Sequence, residues 1–175
     1  MKQKVVLMNP LREHIAVDQT ITLPAHVIVT DPCYDDKTWC QAHLKNMKPG
    51  IYHIDYWKAF DRWDGHAFVI THENYKRNIM PNKLSKEDIG MDAGMVGVYP
   101  IDEFHKDELI PADYEYVYGK PFENHDKWYS AVVPKDTFRI LGNGFTSNSG
   151  YGDGSARLYY DMNSKKEIIR IAVLF

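Results

Sequence analysis

Residues 142–155 read Gly-Asn-Gly-Phe-Thr-Ser-Asn-Ser-Gly-Tyr-Gly-Asp-Gly-Ser, with five glycines and several hydroxyl side chains in fourteen positions. Glycine leaves backbone N–H groups unobstructed and permits conformations closed to other residues. Successive exposed N–H groups form concavities that hold anions. Thr146, Ser147 and Ser149 add hydroxyls, Tyr151 a ring, and Asp153 a carboxylate that accepts from a ligand or orders the loop. Arg157, just beyond, supplies a guanidinium able to grip a phosphate bidentately. This is chemistry for holding a small phosphorylated molecule. The plainer alternative is a long hairpin or bulged turn that uses glycine only to reverse direction. The segment's length, its ring between two glycines and the arginine on the outgoing strand favour binding.

A second segment, Met91 to Tyr99, carries Gly94 and Gly97 between small and apolar residues. Glycine weakens a strand unless a backbone or a ligand must come close, so this segment also reads as part of a site. Catalytic templates do not fit. The phosphate-loop pattern is absent, the dinucleotide fingerprint must open a helix whereas this loop opens a strand, and the nucleophile elbow fails at both Ser149 and Ser155. Cys33 as a nucleophile would need an adjacent base that the sequence does not place, so a buried thiol is the expectation. His53, His66 and His72 could ligate a metal, but they lack paired ligand spacing and read as ordinary edge histidines.

These segments need strands to position them. Val5–Met8, Ala25–Thr30, Ile51–Trp57, Ala67–His72 and Thr137–Leu141 read as strands, and Trp128–Val133 is an apolar run before Pro134. Ile51–Trp57 and Ala67–His72 form a predicted hairpin around the turn cluster 61–65, with Asp64-Gly65 as its turn signal. Ala156–Tyr160 and Ile168–Phe175 form a predicted antiparallel terminal hairpin. Helices are expected over Asp36–Met47, at the acidic start within Pro81–Ile89, and over Ile101–Leu109. The fold class is therefore α+β, mostly antiparallel β-sheet with two or three short helices, in a single domain spanning 1–175.

The totals narrow the function further. The chain has 175 residues, 44% of them hydrophobic, enough for a real core. Its formal net charge of −3 argues against a nucleic-acid polymer as partner, since such proteins present a basic face. A small anionic ligand needs only one or two cations. Two cysteines make no disulfide framework. No leader-like start and no long apolar run appears, so a cytoplasmic location with no membrane partner and no cofactor is expected.

Three motifs taken together, Thr30-Asp31-Pro32-Cys33-Tyr34, Asp92-Ala93-Gly94-Met95-Val96-Gly97 and Ser149-Gly150-Tyr151-Gly152-Asp153-Gly154-Ser155, resemble a family of mostly uncharacterised bacterial and bacteriophage proteins. The likeness runs from about Val27 to Phe175 and departs after Ser155, where the family's Tyr-Pro-Val-Tyr is replaced by Ala156-Arg157-Leu158-Tyr159. Among phage members, the resemblance implies a non-catalytic sponge that sequesters a cyclic dinucleotide, such as cyclic GMP–AMP, and so silences CBASS immunity in the host cytoplasm. On that reading Tyr34, Trp63 and Tyr151 would stack on bases. Arg157, Ser147 and Ser149, with Thr146 beside them, would hold phosphate or ribose. Asp31, Asp92 and Asp153 would read base edges or, the favoured role, organise loops. A nucleotide phosphodiesterase and a protein-binding immunity module are the rival readings, and homo-oligomerisation is left open.

Overall fold

The structure is a computed structural model that describes residues 12–59 and 65–175. The predicted strand Val5–Met8, Trp63, and most of the turn cluster around it lie outside the described residues. The described residues form twelve strands: β1 (Arg12–Leu23), β2 (Val27–Thr30), β3 (Ala42–Leu44), β4 (Gly50–Ala59), β5 (Ala67–His72), β6 (Lys83–Leu84), β7 (Ile89–Met91), β8 (Met95–Pro100), β9 (Phe138–Leu141), β10 (Gly144–Asn148), β11 (Gly154–Met162) and β12 (Ile168–Leu174). One antiparallel sheet runs β1-β4-β5-β12-β11-β6, with β7 also paired to β11, and a second runs β3-β2-β8-β10-β9.

The sheets face each other because each strand alternates. Tyr52, Ile54 and Tyr56 of β4, Phe68 and Ile70 of β5, and Ile171 and Val173 of β12 point inward from the first sheet. Val27 and Val29, Val96 and Val98, and Phe145 meet them from the second. This period of two is what a strand with one buried face requires. The predicted central and terminal hairpins both form, pairing Tyr52 with His72 through Trp57 with Ala67, and Arg157 with Leu174 onward.

The back of the second sheet is also buried. Ile28 and Tyr99 on it pack with Phe104, Trp128 and Val132 of the segment joining β8 to β9. That segment contains helix α1 (Lys127–Val132), capped by the Asp126 carboxylate, which accepts from the Tyr129 N–H at 2.6 Å. The apolar run before Pro134 is thus helical.

Among the described residues the helices expected from sequence are corrected to one six-residue helix and a single 3-10 turn at Asp107–Leu109, so this part of the chain is nearly all-β. Asp36–Met47 is not helical. Asp35 accepts from the Lys37 N–H at 2.8 Å and so bends the chain. Trp39, counted on the apolar stripe, faces solvent, and β3 pairs with β2 instead. In Pro81–Ile89, Lys83–Leu84 and Ile89 pair with β11. Ile101–Leu109 is interrupted at His105, whose φ of +56° is left-handed. Among the described residues no helix is long and apolar enough to cross a membrane.

Candidate functional site

The three motifs meet at one end of the sandwich, and Asp31 is the knot. Its side chain is fully buried beyond the end of β2. One carboxylate oxygen accepts from the Cys33 N–H at 2.9 Å, shaping its own turn. The other accepts from the Asp92 and Ala93 N–H groups at 2.8 and 2.7 Å, tying in the turn between β7 and β8. Burial pushes the Asp31 carboxyl above the usual carboxylate range, and the three N–H donations pull against that. This is loop organisation, the role the sequence favoured for it.

The second and third motifs join by backbone. The Ser149 N–H donates to the Gly94 carbonyl at 2.8 Å. Gly94 has a φ of +67°, and a Cβ there would meet the Gly152 backbone at 3.1 Å, so a side chain at this crossing would be strained. β7 then pairs with the start of β11, setting Ser155 opposite Gly90. A Cβ on Gly90 would fall within 3.4 Å of the Tyr34 hydroxyl. Tyr34, Asp92, Asp153 and Ser155 thus share one rim, with Asp92, Asp153 and Ser155 exposed and Tyr34 half-buried.

Other members of the predicted set are used up inside the protein. Residues 144–148 are a strand, not a loop. Its Thr146 faces one side and bonds the Tyr99 hydroxyl at 2.6 Å, while Ser147 faces the other, and both are buried. Ser149 is also buried. Its hydroxyl donates to the Gly152 carbonyl at 2.8 Å and accepts from the Tyr151 and Gly152 N–H groups. Two of the amides expected to cradle an anion, those of Tyr151 and Gly152, are therefore turned toward this hydroxyl, and the Gly150 N–H donates to the Asn148 side-chain oxygen at 3.2 Å. Gly97 has a similar explanation. A Cβ there would strike the Tyr99 ring, which lies across Gly97 and Gly144, so the space read as a ligand's is filled by the chain's own aromatic.

What faces outward is a short strip. Tyr151 is 40% exposed and folds back so that its hydroxyl donates to the Ser155 carbonyl at 3.0 Å. Its ring packs so close to Gly65 that a Cβ there would lie 2.7 Å from it. Arg157 is exposed on the face of β11 opposite the buried Ala156 and Leu158, one step beyond Ser155. Tyr151, Asp153, Ser155 and Arg157 so form one outward edge continuous with Tyr34 and Asp92. An open concavity elsewhere, lined by Tyr118, Phe122 and His125, gathers none of these residues.

The histidines flagged by sequence are separated in use. His66 and His72 both face inward, against Tyr56 and Tyr52. Among the described residues, no group of three His, Cys, Asp or Glu side chains is gathered as metal ligands. Burial, then the Asp31 and Asp92 carboxylates, push the Cys33 thiol up to about 12. Nucleophilic attack needs the thiolate, so modification of Cys33 by a disulfide reagent near neutral pH should run at least about a hundredfold slower than for a free cysteine. A rate near that of the free amino acid would show that the turn opens.

One residue sequence reasoning missed stands behind Tyr34. His105 reaches the Tyr34 carbonyl through Nε2 at 2.9 Å and the Asp126 carboxylate through Nδ1. No signal in the sequence marks it, since its role depends on a fold that brings positions 34, 105 and 126 together. No family model, curated protein or solved structure matches the chain in the three comparisons made.

Proposed function

We propose that this chain is a non-catalytic binding protein that sequesters a small phosphorylated ligand of the cyclic dinucleotide class on the rim where the three motifs meet. The ligand class, and with it a role in blocking CBASS immunity for a phage, comes from the motif resemblance. The observation that supports it is the convergence of the motifs around the buried Asp31, which leaves an exposed ring, a guanidinium and two carboxylates on one edge. A base stacks on Tyr151, a phosphate pairs with Arg157, and Asp92 and Asp153 accept from base N–H or ribose hydroxyl groups.

The test is thermal unfolding with and without cyclic GMP–AMP, followed by chromatography of the nucleotide released on denaturation. At a ligand concentration of about a hundred times Kd, mass action adds about 2.7 kcal/mol of stability. Arg157→Ala should weaken binding about tenfold while leaving the apo melting temperature nearly unchanged, since its side chain is exposed. Tyr151→Ala should weaken binding by a similar factor and also cost about 1 kcal/mol of stability, because its ring packs on Gly65 and its hydroxyl bonds the Ser155 carbonyl. Intact nucleotide on release fits sequestration, and a linear product would make the protein a phosphodiesterase. No stabilisation by any cyclic dinucleotide removes this reading.

One observation favours the rival protein-binding module. Trp39 is 88% exposed on the turn between β2 and β3, and exposed Trp is a frequent interface anchor. Trp39→Ala should leave nucleotide binding intact if the rim carries the function.

A further inference from the structure

We propose that His105 is a pH-operated clamp on the Asp31–Tyr34 turn, fastened when its ring carries a proton on both nitrogens and released when one is lost. The inference about ligand binding drawn from it rests on the function proposed above; the clamp itself does not.

The geometry carries the proposal. Nε2 of His105 lies 2.9 Å from the Tyr34 carbonyl and Nδ1 lies 2.5 Å from an Asp126 carboxylate oxygen. A carbonyl and a carboxylate only accept hydrogen bonds, whereas a neutral imidazole carries one N–H. Both contacts are satisfied together only by the imidazolium. In the neutral ring one nitrogen lone pair would face an acceptor oxygen, and that contact would become repulsive.

The surroundings keep the ring in place to make both bonds. It stacks on Trp128, with centroids 4.6 Å apart and planes at 25°, and meets Phe104 edge-on. His105 also holds a left-handed φ of +56°, a conformation that costs energy in a non-glycine residue and persists only when neighbours enforce it. The charged and titratable groups facing it are Asp126, at the N-terminus of α1, and Asp35, beside Tyr34. His125 also acts on Asp126, and the rings that His105 packs against, Phe104 and Trp128, are uncharged.

The two titrations run in opposite directions. Burial alone would lower His105, but the bond to Asp126, its charge, the Tyr34 carbonyl and Asp35 more than offset that and raise it above the ordinary histidine value. Burial alone would raise Asp126, yet His105 and the Tyr129 N–H hold it below the ordinary carboxylate value. A raised His105 contributes stability in full below about 6.5, and that stability is lost as pH rises through its folded value. A lowered Asp126 contributes above about 3.9, and that stability is lost as pH falls through its folded value. The clamp is therefore fully closed between about pH 4 and 6.5 and opens on the alkaline side.

Opening frees the Tyr34 carbonyl from α1. Tyr34 and Cys33 are the residues whose N–H groups close the Asp31 turn, so the loosened segment is the one that presents Tyr34 to the rim. Ligand affinity should fall as the clamp releases.

The test is an NMR titration of the His105 ring, with hydrogen exchange of the Cys33 and Tyr34 amides followed over the same pH range and corrected for intrinsic exchange. The expected result is a His105 midpoint above the ordinary value, with amide protection falling through that midpoint. Asp126→Asn keeps an equally good helix cap and removes the charge, so it should lower the midpoint by about one unit or more. His105→Asn tolerates the left-handed backbone and should leave the protein folded, with protection of the turn no longer dependent on pH. A His105 midpoint at or below the ordinary value, or a turn whose protection ignores pH in the natural sequence, overturns the clamp. None of these readouts needs a ligand. Failure of cyclic GMP–AMP to bind counts against the proposed ligand alone, and binding that is strong but independent of pH overturns the coupling.

Discussion

Asp31→Ala should destabilise the protein by about 3 kcal/mol, a fall in melting temperature on the order of 10 °C for a chain of this size. The side chain is small, so most of the effect comes from hydrogen bonding. Its two oxygens receive three backbone N–H groups, from Cys33, Asp92 and Ala93. Each bond to a charged acceptor is worth about 1.5–3 kcal/mol, and the sum is reduced because water can reach Asp92 once the carboxylate is gone. Asp31→Asn isolates the chemistry at constant shape. One amide oxygen can serve the Asp92 and Ala93 donors, but the amide nitrogen then faces the Cys33 N–H, donor against donor. The expected loss is about half that of alanine. Chemical denaturation with unchanged slope is the measurement. A loss under about 1 kcal/mol for alanine would mean that the three motifs are held together by something other than this carboxylate. Because the same knot positions Tyr34 and Asp92, the alanine variant should also lose binding on the rim, whereas Arg157→Ala loses binding without stability.

Which parts of this were readable beforehand follows from which interactions are local. Ile168–Val173 is a β-branched, almost wholly apolar run that follows a polar turn, where Asn163 accepts from the Lys165 and Glu167 N–H groups, so the terminal hairpin was legible. Strand β1 was not. Ile15, Val17, Ile21 and Leu23 do fall on alternate positions, but Glu13, Asp18, Gln19, Thr20 and Thr22 between and around them are exposed, as an edge strand permits. A bulge between Ala16 and Thr20 then breaks its register against β4. Trp128–Val133 is apolar but for Ser130, and such a short run reads equally as strand or buried helix; the Asp126 cap decides it.

The candidate site divides the same way. Its three motifs were visible as motifs; that they meet around Asp31 is shown by the fold. Which side chains remain outward was not visible. Thr146, Ser147 and Ser149 have the composition of ligand contacts, but strand pairing and a serine-centred turn draw them in. Composition states what a residue can bond; only the fold states what it has already bonded.

A second buried carboxylate makes the other large effect. Arg77→Ala should cost about 3 kcal/mol, because it removes the guanidinium that pairs with buried Asp55. Asp55 is fully buried on the outward side of β4, between core-facing Ile54 and Tyr56. Arg77 binds it through Nε at 3.2 Å and Nη2 at 3.0 Å, and the same Nη2 donates to the Ile54 carbonyl at 3.1 Å. His14, stacked on Trp57, is the other partner, 3.1 Å away. The pair also fastens residues 73–82 over this face of the sheet, where Arg170 donates to the Lys76 carbonyl at 2.8 Å and Met80 packs beside Trp57 and Val69. Removing one member of a buried pair leaves an uncompensated charge, while replacing both with apolar groups of similar volume is often neutral. Asp55→Leu combined with Arg77→Met should therefore recover most of what Arg77→Ala loses, and the double-mutant cycle should report a coupling of at least about 2 kcal/mol. Limited proteolysis supplies an independent reading, with cleavage near Asn78 rising in Arg77→Ala and falling back in the double variant. If Arg77→Ala is as stable as the natural sequence, the segment is held by its apolar contacts and the ion pair is ornamental.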